Sequence, residues 1–319
     1  MRSSRLKIRP GRLAVLTALI LCCLLAAGCS SDARQTVELD MTDSQAVARA
    51  REQAARLPMP QDDGEPILVS GEIAVRAAHA DQGYITLRCG GLGETRHKLQ
   101  IVKDEKSYYY DLPQDGGTLV CPLQMGSGSY RIALYRQAEG DKYAQIGSAE
   151  LEAQIASEFS PYLIPNLYVD YNRDSQSVLA GLMLAEGAQS DVEVADRLYR
   201  YVVGAISYDK QKAGRVEAGE ITRYLPDPDQ TLEAGTGICL DYAALFGSML
   251  RANGIPAKLV TGYAEPGHIY HAWNLVYLEG IGWVGMDVES PGRSWVLADT
   301  TFAVSGSAGD ATYFTVNEY

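Results

Sequence analysis

Along the chain, apolar and polar positions change their rhythm several times. Residues 1–12 hold Arg2, Arg5, Lys7, Arg9 and Arg12 and no acid. Then "LAVLTALILCCLLAA" runs unbroken from Leu13 to Ala27, and small residues surround Cys29 in "AAGCS". A spanning helix needs about 20 apolar residues, so a basic start, a shorter apolar run and small residues predict a secretory signal over residues 1–28. Residues 29–66 are polar and predict a tether. Within it "DSQAVARAREQAARL" predicts a helix that Pro58 and Pro60 stop.

Residues 67–156 are rich in short β-type runs: "ILVSGEIAVRA", "YITLRC", "HKLQIVK", "SYYYDL", "GTLVCPLQM", "YRIALYR" and "YAQIGSAELEA". Turn signals such as "GGLGE", "QDGG", "GSGS" and "EGDK" separate them. Short strands at regular spacing predict a small all-β sandwich, an accessory domain over residues 67–156. A Pro- and Tyr-bearing connector, 157–178, opens a second domain over 157–319.

The period there becomes helical. "SDVEVADRLYRYVVGAISYD" has Ser190 as an N-cap, acids in its first turn and an apolar stripe of Val194, Leu198, Tyr201, Val202 and Ile206. Lys210 to Gln230 reads as a loop. A helix follows from Cys239, ending at Gly254 in a left-handed cap with Pro256 beyond. "AKLVTGY", "HAWNLVYLEG", "GWVGMDVE" and "SWVLADTTF" then read as antiparallel strands. The predicted class is α+β, helices packed on an antiparallel sheet, preceded by the sandwich.

Charge narrows the partners. The formal net charge is −12, and removing the five leader charges leaves −17. Such a surface repels nucleic acid, so none is expected as a partner. Beyond the leader stand Cys29, Cys89, Cys121 and Cys239. Outside the cytoplasm cysteines tend to pair. Cys89 and Cys121 end two strand-like runs and are candidates for a disulfide, or else for small buried apolar positions. Cys239 is the odd one out, which flags a reactive thiol.

The chemistry of "GTGIC" before a helix suits a nucleophile. Unpaired N–H groups and the positive end of the helix stabilise a thiolate. Gly235 and Gly237 let the backbone turn and leave room for a substrate. Among the four histidines, His271 opens an alternating strand with Trp273 and is preferred as base over His268, which sits in a Pro-Gly loop. An imidazole needs a third group to orient it. Asp287 and Asp299 each lie four residues after a tryptophan and both qualify. Oxyanion stabilisation would come from the Cys239 N–H and a side-chain donor, with Tyr224 a candidate. Asp241 is assigned to the helix's first turn. No Cys-x-x-Cys or His-x-x-x-His spacing supports a metal site, and no Lys-Ser/Thr follows "GTG" to hold a phosphate. Neither metal nor cofactor is expected.

Two resemblances sharpen these readings. The leader resembles a bacterial lipoprotein signal, although its leucine, Leu25, stands four rather than three residues before the cysteine. That resemblance implies lipidation of Cys29 and an extracytoplasmic protein anchored to the cell membrane. "GICLDYAALFGSMLRANGIPAKLVTGY", then "HAW", then "WVLADTTF", resemble the three boxes of the transglutaminase-like superfamily, a papain-related cysteine fold, over roughly 190–302. The resemblance places the family's nucleophile on Cys239, its histidine on His271 and its aspartate on Asp299, with Thr300 where proline is usual. Asp287 is the alternative. It implies acyl transfer through a thioester, on a protein or peptide at the cell surface or in the cell wall. The competing expectation is a non-catalytic surface-binding lipoprotein on the same scaffold.

Overall fold

Strand alternation builds the first half of the molecule. In the computed structural model, residues 39–265, 269–286, 306–308 and 311–319 are described. Strands β1 (Pro66–Ser70), β2 (Ile73–Arg76), β3 (Tyr84–Cys89) and β6 (Gly117–Pro122) form one antiparallel sheet in the order β1-β2-β3-β6. Strands β4 (His97–Lys103), β5 (Lys106–Asp111), β7 (Gly128–Glu139) and β8 (Lys142–Ala153) form a second, β5-β4-β7-β8. Every second residue is buried: Ile73 and Val75, Leu99 and Ile101, Tyr108 and Tyr110, Tyr130 and Ile132. These inward residues of both sheets meet in one apolar cluster, the core of a sandwich.

The disulfide expectation fails here. Cys89 and Cys121 are both free and buried. In the β3–β6 ladder Cys89 faces Gly117 while Cys121 faces Ile85, four positions further along. At about 3.4 Å per residue that puts their Cα atoms about 14 Å apart, twice the reach of a disulfide. Both thiols pack in the core instead, and burial raises each above its ordinary value, Cys121 the further.

The polar segment before the sandwich also differs from expectation. Asp43 caps α1 (Ser44–Ala54) by accepting from Gln45 and Ala46 N–H. Ala50 and Ala54, one turn apart, are buried in the core. Arg49 pairs with Glu186 at 2.8 Å, and Arg173 donates to the carbonyl of Leu57. From residue 39 the chain is therefore packed on the body rather than tethering it, because two small side chains let a polar helix dock closely.

The second half layers helices on a sheet. Helices α2 (Gln176–Ala185), α3 (Asp191–Ala205), α4 (Lys210–Glu217), α5 (Pro228–Ala234) and α6 (Cys239–Ala252) precede the strands. A two-residue parallel pair joins β9 (Ser207–Tyr208) to β10 (Thr236–Gly237). The five-stranded antiparallel sheet runs β13 (Gly282–Met286), β12 (Ile269–Leu278), β11 (Ala257–Glu265), β15 (Ala311–Glu318), β14 (Gly306–Ala308). The class is α+β, as the sequence predicts. Ser190 accepts from Glu193 N–H and caps α3, and Gly254 follows α6 at φ 74°.

Helix α6 is the hub. Tyr242 through Ala252 are buried at every position, so this helix has no solvent face there. Gly181 of α2 lets the two helices touch: a Cβ there would lie 2.9 Å from the Met249 Cα. At its far end Arg251, 1% exposed, donates to the carbonyls of Ala257 (3.0 and 2.7 Å), Ile164 (2.7 Å) and Tyr319 (3.0 Å). Burial pulls its guanidinium down to about 10, still charged at neutral pH. Its planar fork thereby ties α6, the connector, β11 and the strand end into one joint.

Candidate functional site

The turn before α6 is built by two glycines with different tasks. Gly235 ends α5 at φ 62°, in the left-handed region that glycine enters freely. Gly237 makes room: a Cβ there would stand 2.6 Å from the Cβ of Asp241. The space beside Gly237 is thus filled by Asp241, not left for a substrate as the sequence suggested. The backbone is pinned from β9, where Ser207 N–H donates to Gly235 O (2.8 Å) and Asp209 N–H to Gly237 O (2.9 Å).

Cys239 is the first residue of α6 and is partly exposed. Helix geometry leaves the N–H groups of Cys239 and Leu240 unused by the helix itself, a donor pair beside the sulfur. Ile238, the N-cap, has no side-chain acceptor, so only the carboxylate half of a capping box forms. Asp241 Oδ2 accepts from Ile238 N–H at 2.8 Å. The assignment of Asp241 to the first turn holds.

Asp241 does more than cap. It is fully buried, and Lys212 of α4 donates to the same Oδ2 at 2.7 Å. Tyr224 O–H donates to Oδ1 at 2.5 Å and in turn accepts from Lys212 Nζ. Burial first, then the hydrogen bond and charge of Asp241, push the Tyr224 hydroxyl far above its ordinary value, so it stays a donor. Its single proton is committed to Asp241. Tyr224 therefore stands beside the turn as part of this network, with no proton free for the oxyanion role considered from sequence. Lys212 and α4 lay in a stretch read as loop and were missed. No apolar periodicity could have revealed a helix that buries none of its residues.

His271 lies on β12, paired with Gly262 of β11. Its ring is 6.2 Å from Trp273 in a stacked arrangement and 6.0 Å from Tyr313. Gly262 is required at that rung, since a Cβ would fall 1.9 Å from the Phe314 carbonyl oxygen of β15. Helix α6 contacts the same strand through Asn274, which is fully buried and donates to Ala243 O at 3.0 Å. Cys239 and His271 thus ride on two elements in direct contact. Strand alternation turns Ala272 and Asn274 toward α6, and His271 with Trp273 toward the other face. His268, Asp287, Asp299 and Cys29 lie outside the described residues, so the choice of third member rests on sequence. His79 and His97 serve the sandwich. His79 Nε2 is 2.7 Å from Asp63 and its ring stacks on Tyr84, while buried His97 bonds the Thr95 carbonyl through Nδ1.

Among the described residues, no helix is long and apolar enough to cross a membrane, and no group of three His, Cys, Asp or Glu side chains is placed to hold a metal ion.

Residues 182–288 match the Transglutaminase-like superfamily. A stretch of 129 residues is 30% identical to the kyphoscoliosis peptidase of Mus musculus, covering 37% of this chain and 17% of that protein. The chain thus spans well under half the length of that relative. A crystal structure of a candidate cysteine protease from Cytophaga hutchinsonii aligns with a TM-score of 0.37 at 15% identity, covering 74% of this chain and 86% of that one. Red sea bream transglutaminase aligns with a TM-score of 0.29 at 14% identity, covering 76% of this chain and 53% of that one.

Proposed function

We propose that this protein is a cysteine enzyme of acyl transfer, exported and held at the cell membrane by a lipid on Cys29, a reading supported by the match of residues 182–288 to the Transglutaminase-like superfamily. The observation that carries the reading is the partly exposed Cys239 at the start of buried helix α6, inside the segment that matches the family. There the helix terminus presents unpaired N–H groups beside the attacking atom. The thiolate sulfur attacks a carboxamide or peptide carbonyl carbon, forming an S–C bond. Collapse of the tetrahedral intermediate breaks the C–N bond, and His271 in its imidazolium form gives the proton to the departing amine. The thioester then passes its acyl group to an incoming amine, giving transamidation, or to water, giving deamidation or hydrolysis. His271 takes the proton of that second nucleophile, and Asp299 or Asp287 steadies the imidazolium. The reading requires His271, which strand alternation turns away from the helix-packed face of β12, to reach the thiol.

That same alternation is the observation favouring a second reading, a non-catalytic surface-binding module on the same scaffold. A single series separates the two. Wild type, Cys239→Ala and His271→Ala are incubated with a glutamine-bearing peptide and a fluorescent primary amine, scoring amine incorporation, ammonia release and peptide cleavage. Acyl transfer predicts product from wild type and a loss of at least about a hundredfold in each variant. No product from any of them with native folds would favour the binding module, and turnover that survives in Cys239→Ala would remove the nucleophile.

A further inference from the structure

The buried cluster beside the nucleophile turn is richer in charge than a helix cap requires. Asp241 is 0% exposed and accepts three hydrogen bonds, from Ile238 N–H, Lys212 and Tyr224. The Lys212 ammonium also lies 4.0 Å from the centroid of the Tyr224 ring. Arg223, immediately before Tyr224, sits at φ 54°, a left-handed conformation that a non-glycine residue adopts only at a cost. The chain thus takes a strained turn in order to bring the Tyr224 hydroxyl onto the carboxylate. An acid that only closes a capping box from the third helix position needs neither the lysine nor the tyrosine.

Charge gives the arrangement its consequence. A carboxylate two residues beyond a cysteine opposes ionisation of that thiol, because like charges repel more strongly in a buried setting. Lys212 supplies the opposite charge at 2.7 Å, and Tyr224 supplies a neutral donor to the other oxygen. The charged and titratable groups tied to the turn are Asp209, which caps α4 and bonds Gly237, Tyr208, paired with Gly237 between β9 and β10, Lys212, Tyr224, Asp227 and Asp241. Of these only Lys212 carries a fixed positive charge, and it is spent on Asp241.

We propose that Lys212 and Tyr224 are positioning residues for Cys239: by neutralising and pinning the buried Asp241 carboxylate, they hold the Gly237–Ile238–Cys239 turn and let the thiol ionise. The proposal rests on the reading of Cys239 as nucleophile. Helix α4 and the 218–227 segment are then the clamp that sets the nucleophile's reactivity, and they act through Asp241 without touching substrate.

The test is the pH profile of Cys239 alkylation by iodoacetamide in the whole protein, followed on the Cys239 peptide by mass spectrometry. Lys212→Met should move the profile to higher pH and slow alkylation about tenfold at pH 7. Lys212→Arg, keeping the charge, should restore most of the rate. Asp241→Asn leaves Lys212 uncompensated and should move the profile the opposite way, to lower pH. Tyr224→Phe should move it upward by less than Lys212→Met, and carries the test if the lysine variant does not fold. Opposite displacements support the proposal. Profiles that stay in place, or move in one direction for Lys212→Met and Asp241→Asn alike, overturn it. Alkylation reads the thiol whether or not any acyl substrate is turned over, so failure of the acyl-transfer reading is seen separately, in amine incorporation.

Discussion

Replacing Arg251 with methionine tests the joint at the far end of α6. The guanidinium makes four hydrogen bonds to three carbonyls, those of Ala257, Ile164 and Tyr319. Methionine fills similar space and donates nothing. Tyr319 O keeps the N–H of Leu259 at 2.8 Å, so the carbonyls of Ile164 and Ala257 bear the loss. A buried carbonyl left dry costs about 1–3 kcal/mol, which gives about 2–6 kcal/mol for the pair. Relief from burying a charge without a carboxylate partner returns part of it. The expected net loss is about 2–4 kcal/mol. At a slope of roughly 3 kcal/mol per molar, the urea midpoint followed by tryptophan fluorescence should fall by about 1 M. An unchanged midpoint at unchanged slope would refute the reasoning, and would mean that water or repacking satisfies those carbonyls.

Other consequences are as open to measurement. Gly262→Ala should destabilise the sheet by at least about 3 kcal/mol, since its Cβ would overlap the Phe314 carbonyl and no side chain can yield; a midpoint within about 0.3 M of wild type contradicts this. Native protein exposed to a maleimide should be labelled at Cys239, while Cys89 and Cys121 react only after unfolding, because burial keeps both protonated and out of reach. Peptide mapping that finds native labelling at Cys121 would show the sandwich core to be open. Stability should fall as pH rises above about 9. Cys121, Tyr130 and Tyr171 have their ionisation raised by burial above ordinary values of 9.0 and 10.0, so the folded chain keeps protons that the unfolded chain releases. Stability from these groups is complete below the unfolded values and is lost through the folded ones; a flat urea midpoint from pH 9 to 11 would count against it.

Local pattern was enough for much of this molecule. Period-two alternation in runs such as "HKLQIVK" marks β4 because a half-buried strand must alternate. Ser190, Gly254 and the apolar stripe around Leu198 and Val202 mark the ends and the inner face of helices, since caps and faces are local physics. The cysteine at a helix start was equally legible, and so was its resemblance to a known family. Helix α4 was not, because it buries no residue and so carries no apolar signature. Other facts depend on partners distant in sequence. Tethering gave way to packing at Ala50 and Ala54 because α2 lies against them. A bond between Cys89 and Cys121 was excluded by a ladder register that no spacing reveals. The purpose of Gly237 and the company of Asp241 emerged only when α4 brought Lys212 and the 218–227 segment brought Tyr224 to the turn. Composition and period determine which elements form, since those depend on neighbours along the chain. Which charges meet, which thiols stay apart and which face of β12 carries His271 are decided by packing, since burial and register exist only once distant segments touch.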